Sequence, residues 1–219
     1  MPLFDDVLEL ARWVLGHPLI RENYALGGGT WLMLRHPRKA RLSTDVDVFS
    51  AREEVSSFKA MSELVESCKR DKIAYDIIRR GEHFCQMFIE YPNKGKPTKV
   101  DIGKIWHPVR IEYDEQLNCS VISPNDMAME KLRCIVDRIE PTDLYDLSLL
   151  RDEYPSEFRN ACMHLKTTAE LEALIAAINR RLETLGEQGT KLGLDVAQKE
   201  WLLQKIPSMI QDLAGWSIK

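Results

Sequence analysis

Apolar residues recur at helical spacing from Leu3 to Leu15, and a second helical pattern starts at Thr30, directly after Gly27, Gly28 and Gly29. The next run, Asp45-Val46-Asp47-Val48-Phe49-Ser50, alternates polar and apolar positions and predicts a half-buried strand. Helical periodicity returns over residues 53–71, with Val55, Phe58, Met61, Leu64, Val65 and Cys68 expected inward. Three runs rich in β-branched and aromatic residues follow at 74–80, 83–91 and 98–106, separated by Gly81 and by the Pro- and Gly-containing turn at 92–97. A short strand is expected around Cys119 to Ile122.

From Ser123 onward every pattern is helical. Ser123 can cap free amides, Pro124 suits the first helical position, and Asp126 falls in the first turn. Helices are expected over 124–138, 141–154, 156–165 and 168–186, with a last one after the glycine-containing link 186–193. Leu171, Leu174, Ile175, Ile178, Leu182 and Leu185 form one apolar stripe, read as a core face. The expected organisation is an α/β part over 1–122 and a helical part over 123–219, without internal repeats.

A chain of 219 residues can bury a substantial core, and 44% hydrophobic with 29% charged residues is the composition of a folded protein. No apolar run is long enough to span a bilayer, and Asp5 and Asp6 make the start acidic where a secretory signal is basic. These features lead to the expectation of a cytoplasmic protein without a membrane partner. The five cysteines are scattered and lack a CxxC pair, which argues against a disulfide framework or a zinc ribbon. The five histidines show no HExxH spacing, so a histidine-built metal site is not expected. A net charge of −4 excludes a global basic footprint, leaving only local clusters for nucleic acid: Arg35, Arg38, Lys39 and Arg41, then Lys69, Arg70 and Lys72, then Lys94, Lys96, Lys99 and Lys104. Such clusters are also what a solvated surface carries.

Against this background the acids inside strands stand out. Asp45 and Asp47 project from one face while Val46 and Val48 enter the core. Two adjacent carboxylates repel and lose hydration unless a cation compensates, and a pair of Mg²⁺ ions roughly 3.5–4 Å apart suits them. Taken alone, the pair is better read as the polar face of an exposed edge strand. The glycine triplet, between a short apolar strand and a helix, can present bare amides to a phosphate oxygen, or can simply make a tight turn. Asp101, between Val100 and Ile102, supplies a third strand-borne acid. Three acids on one side of a sheet favour oxygen-ligated Mg²⁺ or Mn²⁺ over zinc, and Gly103 is expected to leave room for a ligand on that face.

The ordered set Gly28-Gly29-Thr30, then Arg41 to Phe49, then Lys99 to Gly103, then Met127 to Arg138 and Thr142 to Leu147 resembles the AbiEii/AbiGii toxin family of nucleotidyltransferases, within the DNA polymerase beta-like superfamily. The resemblance covers about Ala25 to Leu147. It implies an α+β fold, a polymerase beta-like core with a mixed sheet flanked by helices, followed by a helical C-terminal part. It implies that Gly28, Gly29 and Thr30 hold an NTP, that Asp45 and Asp47 bind the metals, and that Asp101 completes the metal site. Arg41 and Ser43 match the lead-in to the paired acids, with Arg41 a phosphate contact; Lys131 is expected at the triphosphate, and Asp143 and Asp146 match a further motif. The residue pattern alone places Lys131 at the flank of an apolar helix face, which a core-edge lysine shares, and lets Asp143 and Asp146 serve a helix dipole. The implied reaction is Mg²⁺- or Mn²⁺-dependent transfer of NMP to an acceptor hydroxyl, on RNA and notably the tRNA 3′ end, by the toxin of a pair with an antitoxin. The alternatives are nucleotidylation of a protein or small molecule, and a non-catalytic NTP-binding module.

Overall fold

The computed structural model describes residues 4–50, 52, 54–105, 110–138, 140–164, 168–187 and 194–216. Contacts divide the chain into two compact units, one of Met1–Arg38 with Leu42–Ser123, the other of Lys39–Arg41 with Pro124–Lys219.

The first unit holds α1 (Phe4–Leu15), α2 (Pro18–Asn23), β1 (Ala25–Gly27), α3 (Gly28–Arg35), β2 (Asp45–Ser50), α4 (Ser57–Asp71), β3 (Tyr75–Arg79), β4 (Phe84–Ile89), β5 (Thr98–Lys104), β6 (Ile111–Asp114) and β7 (Cys119–Ile122). Its strands form one mixed sheet in the order β3-β4-β5-β2-β1-β7-β6. Strands β2 and β5 run parallel with Val46 opposite Val100 and Val48 opposite Ile102, while β4 lies antiparallel to β5 with Met87 and Cys85 opposite the same two residues. The alternation therefore builds one apolar layer, and all six of these side chains are fully buried. Helices α1 and α4 cover that layer, α1 packing on β2 and α4 on β4 and β5. Asp45, Asp47, Lys99, Asp101 and Gln86 are left on the opposite, part-exposed face.

Several details depart from the expected pattern. Helix α4 starts at Ser57 because the Ser56 side chain accepts a hydrogen bond from the Lys59 amide, so Val55 is buried ahead of the helix and not within it. Phe58 faces solvent and Val65 is half-buried. The six-residue α2 and the edge strand β6 were not anticipated by periodicity; β6 exposes Ile111 and Tyr113 and so lacks a buried stripe. Leu3, Trp106, Leu165 and residues 188–193 of the expected link lie outside the described residues, as do the side chains of Leu182 and Leu185.

The second unit holds α5 (Pro124–Asp137), α6 (Pro141–Glu153), α7 (Pro155–Met163), α8 (Thr168–Glu187) and α9 (Val196–Trp216). The first three start on a proline, whose missing N–H costs nothing in the first turn. Helix α5 packs on α6, α7 and α8, and α9 packs on α6 and α8. The central α6 is buried from Leu144 through Leu150 without a break, so it shows no polar stripe. Leu171, Leu174 and Ile178 are buried as expected, with Ile175 at the margin. Among the described residues no helix is long and apolar enough to cross a membrane.

Candidate active site

The open face of the sheet gathers the strand-borne acids by register. Asp45 lies opposite Lys99, and Asp47 opposite Asp101, across the parallel β2/β5 pair; Gly27 lies opposite Asp47 on β1, and Gln86 opposite Asp101 on β4. The Lys99 ammonium bridges two of the acids, with Nζ 2.8 Å from Asp45 Oδ2 and 3.3 Å from Asp101 Oδ2. Gln86 Nε2 donates to Asp101 Oδ1 at 2.9 Å, and the Thr44 hydroxyl donates to Asp45 Oδ1 at 3.3 Å. Burial by itself pulls the Lys99 pKa down. The hydrogen bond to Asp45 and the charges of Asp45, Asp101 and Asp47 outweigh it and push the value up to about 12.

Asp47 meets the start of α3. Gly28 there has φ +65°, and a Cβ at this position would stand 1.9 Å from Asp47 Oδ2. Glycine is required both for the left-handed backbone and for the close approach of the carboxylate. Gly27, at the cap position, has no side chain to satisfy the first amides of the helix. Thr30 is fully buried, and its hydroxyl donates to the backbone carbonyl of Asp45, so it ties the helix to the acid-bearing strand. Ser43 is also buried, with its amide facing Met33 Sδ at 3.2 Å. The room expected beside Gly103 is taken: a Cβ there would stand 3.1 Å from the Phe49 ring and 3.5 Å from the Phe84 ring. The two aromatic rings close over the missing side chain, because Phe49 and Phe84 are its register partners on the neighbouring strands.

The three carboxylates offer only oxygen, the donor type that a hard divalent cation takes, and the Lys99 ammonium is the cation between Asp45 and Asp101. Among the described residues, however, no three carboxylate, imidazole or thiolate groups converge on one metal-sized position.

A second charged cluster lies within the helical unit. Lys131 Nζ donates to Asp143 Oδ1 at 2.8 Å and to Asp146 Oδ2 at 2.7 Å. Arg41 grips Asp146 through Nε at 2.9 Å and Nη2 at 2.8 Å, and Arg138 grips Asp143 through Nε at 2.8 Å and Nη2 at 3.0 Å. Lys131, Asp143 and Asp146 are buried. Burial disfavours a charged Lys131, yet Asp146 and Asp143 raise its pKa above the usual value; burial likewise disfavours charge on Asp143, but Lys131 and Arg138 hold its carboxyl below the usual range. Glu140 stands 3.9 Å from Arg138 at the exposed rim. Nearby, Lys39 pairs with Glu153 at 2.7 Å, and the Tyr145 hydroxyl donates to the Lys39 carbonyl at 2.5 Å.

Gly28, Asp45, Asp47 and Asp101 are thus brought together, with Thr30 beneath them, whereas Arg41, Lys131, Asp143 and Asp146 form a cluster of their own. Lys99 and Gln86 belong to the first site and were not singled out from sequence. In the sequence Lys99 stands only as a member of the basic cluster Lys94, Lys96, Lys99 and Lys104, although its place two residues before Asp101 puts both on one face of a strand.

Among solved structures, a Helicobacter pylori protein assigned as a nucleotidyltransferase shares the fold with a TM-score of 0.66 at 16% identity, over 96% of this chain and 95% of that chain. JHP933 from Helicobacter pylori shares it with a TM-score of 0.60 at 13% identity, over 96% of this chain and 94% of the other. No curated protein matches the chain by sequence. The fold is that of a nucleotidyltransferase. The profile of the family described as "Nucleotidyl transferase AbiEii toxin, Type IV TA system" matches residues 10–206, and the chain belongs to that family. It is a transferase enzyme.

Proposed function

We propose that this enzyme moves an NMP from an NTP onto a hydroxyl of RNA, at the tRNA 3′ end, as the toxin of a bacterial pair whose antitoxin opposes it. One observation carries the assignment of the site: Asp45, Asp47 and Asp101 line one sheet face in register, with Gly28 at a helix start against Asp47. The family supports the toxin role. Mg²⁺ or Mn²⁺, held by Asp45 and Asp47 with Asp101 beside them, would supply charge neutralisation at the triphosphate and acidify the attacking hydroxyl. Gly28 and Gly29 offer amides at the positive end of α3 to a phosphate oxygen. The acceptor oxygen bonds to the α-phosphorus, the bond from that phosphorus to the β-bridging oxygen breaks, and pyrophosphate leaves with the electron pair. Asp101 takes the hydroxyl proton, held in place for this by Gln86. Thr30 and Ser43 serve from below, fixing the strand and its approach. Lys131, Arg41, Asp143 and Asp146, for which the resemblance implies triphosphate or motif roles, serve in this reading to hold the helical unit together.

A protein or small-molecule acceptor is the second reading, favoured by the net charge of −4. One assay separates the two: the purified chain with Mg²⁺ or Mn²⁺ and each α-labelled NTP, offered bulk tRNA, lysate protein or no acceptor. The expected result is label on tRNA that the Asp45→Ala, Asp47→Ala double variant lowers by at least about 1,000-fold. Label on protein selects the second reading, and full transfer by the double variant removes this site from the reaction.

A further inference from the structure

We propose that Lys99 is a built-in cation of the site, its ammonium replacing one of the two divalent ions that the resemblance implies, so that the chain loads a single divalent ion. The inference rests on the metal-dependent reading above. Lys99 is not a surface lysine that happens to lie near acids: it is borne on β5, is registered opposite Asp45 and shares a strand face with Asp101. Its side chain is only 27% exposed. Both oxygens of Asp101 are engaged, Oδ1 by Gln86 and Oδ2 by Lys99, so an ion entering there has to break one of these contacts. Asp45 meets Lys99 through Oδ2 and receives at Oδ1 only the longer, 3.3 Å bond from the Thr44 hydroxyl, an oxygen that can be shared with an ion, so Asp45, with Asp47 two residues on along the same strand face, takes the divalent ion. One ammonium and one divalent ion balance three carboxylates. Lys99 is therefore a positioning residue for Asp101, and it supplies on the acceptor side the positive charge that a second ion supplies elsewhere.

The test counts ions without using turnover. The full chain is titrated with Mn²⁺ and the free ion is measured by electron paramagnetic resonance, with and without a non-hydrolysable NTP analogue. Wild type is expected to bind one Mn²⁺ per chain, Lys99→Met and Lys99→Gln to bind two, and Lys99→Arg to bind one. The Asp45→Ala, Asp47→Ala double variant is expected to bind none. Two ions on wild type, or one on wild type and on both neutral variants, overturns the role of Lys99 while leaving the metal-dependent reading intact. No ion on wild type overturns both. Melting curves of the two neutral variants establish that each is folded when its ions are counted.

Discussion

The two charged clusters are made of the same ingredients in opposite proportions. On the sheet face three carboxylates meet one ammonium, on part-exposed strands. In the helical unit three cationic side chains meet two buried carboxylates, both held by bidentate arginine and both bonded to Lys131. A cluster with surplus negative charge near solvent attracts a further cation and can exchange it. A buried cluster whose carboxylates are fully engaged has nothing left to exchange, and its loss is felt as lost structure. Acidic and basic residues in a motif thus separate into chemistry and scaffold by burial and by charge balance, which their spacing in sequence does not reveal.

The sharpest contrast comes from removing the lysine of each cluster. Lys131→Met removes the charged hydrogen bond that the buried ammonium gives each of Asp143 and Asp146, which keep their arginines, and is expected to destabilise the fold by about 3 kcal/mol. Lys99→Met, at a part-exposed pair, is expected to change stability by less than about 1 kcal/mol. Denaturant unfolding of the two variants measures both, and similar losses would erase the distinction drawn between the clusters. A smaller effect is expected at the glycine of the acid face. Gly28→Ala forces a Cβ into Asp47 and strains a left-handed residue, so kcat/KM for NMP transfer should fall on the order of 100-fold. Transfer at the wild-type rate would separate Asp47 from the chemistry.

The smallest effect is a pH limb. The Asp143 carboxyl titrates below its ordinary value of 3.8 in the folded chain, because Lys131 and Arg138 outweigh the opposing effect of burial. Its ion pairs therefore add stability above that pH, and the contribution is lost as pH falls through the lower folded value. Asp143→Asn should be less stable near neutrality and should show a flatter decline below about pH 4, read from denaturant midpoints across the acid range. An unchanged acid limb would mean that Asp143 is not held by its partners.

Much of the acid face was legible before any coordinates. Alternation in β2 and β5 turned Asp45, Asp47 and Asp101 to the polar side, and the fully buried Val46, Val48, Val100 and Ile102 are the other half of that pattern. The parallel pairing that sets Asp47 opposite Asp101 is a contact between distant segments, and no local period encodes it. Lys99 was hidden for a different reason: it follows the turn lysines Lys94 and Lys96 and reads as one more member of a basic cluster, for which solvation is the ordinary fate. The helical cluster was the least legible. Asp143 looks like a first-turn acid and Asp146 lies one turn on, and only the approach of α5 and of the 39–41 segment makes them buried partners of Lys131, Arg138 and Arg41. Helix α6 gave no stripe to read, because its middle is enclosed on every side.

Because Lys39–Arg41 packs with residues from Pro124 onward, the helical unit is not a single stretch of gene. A fragment cut at Pro124 would retain Asp146 but not the guanidinium that neutralises it, and would lose the Lys39 carbonyl to which Tyr145 is tied. Recombination that swapped the downstream helices between relatives would have to carry along a matching arginine from far upstream. One ion pair thereby makes residues 39–41 and the downstream helices a single unit of exchange.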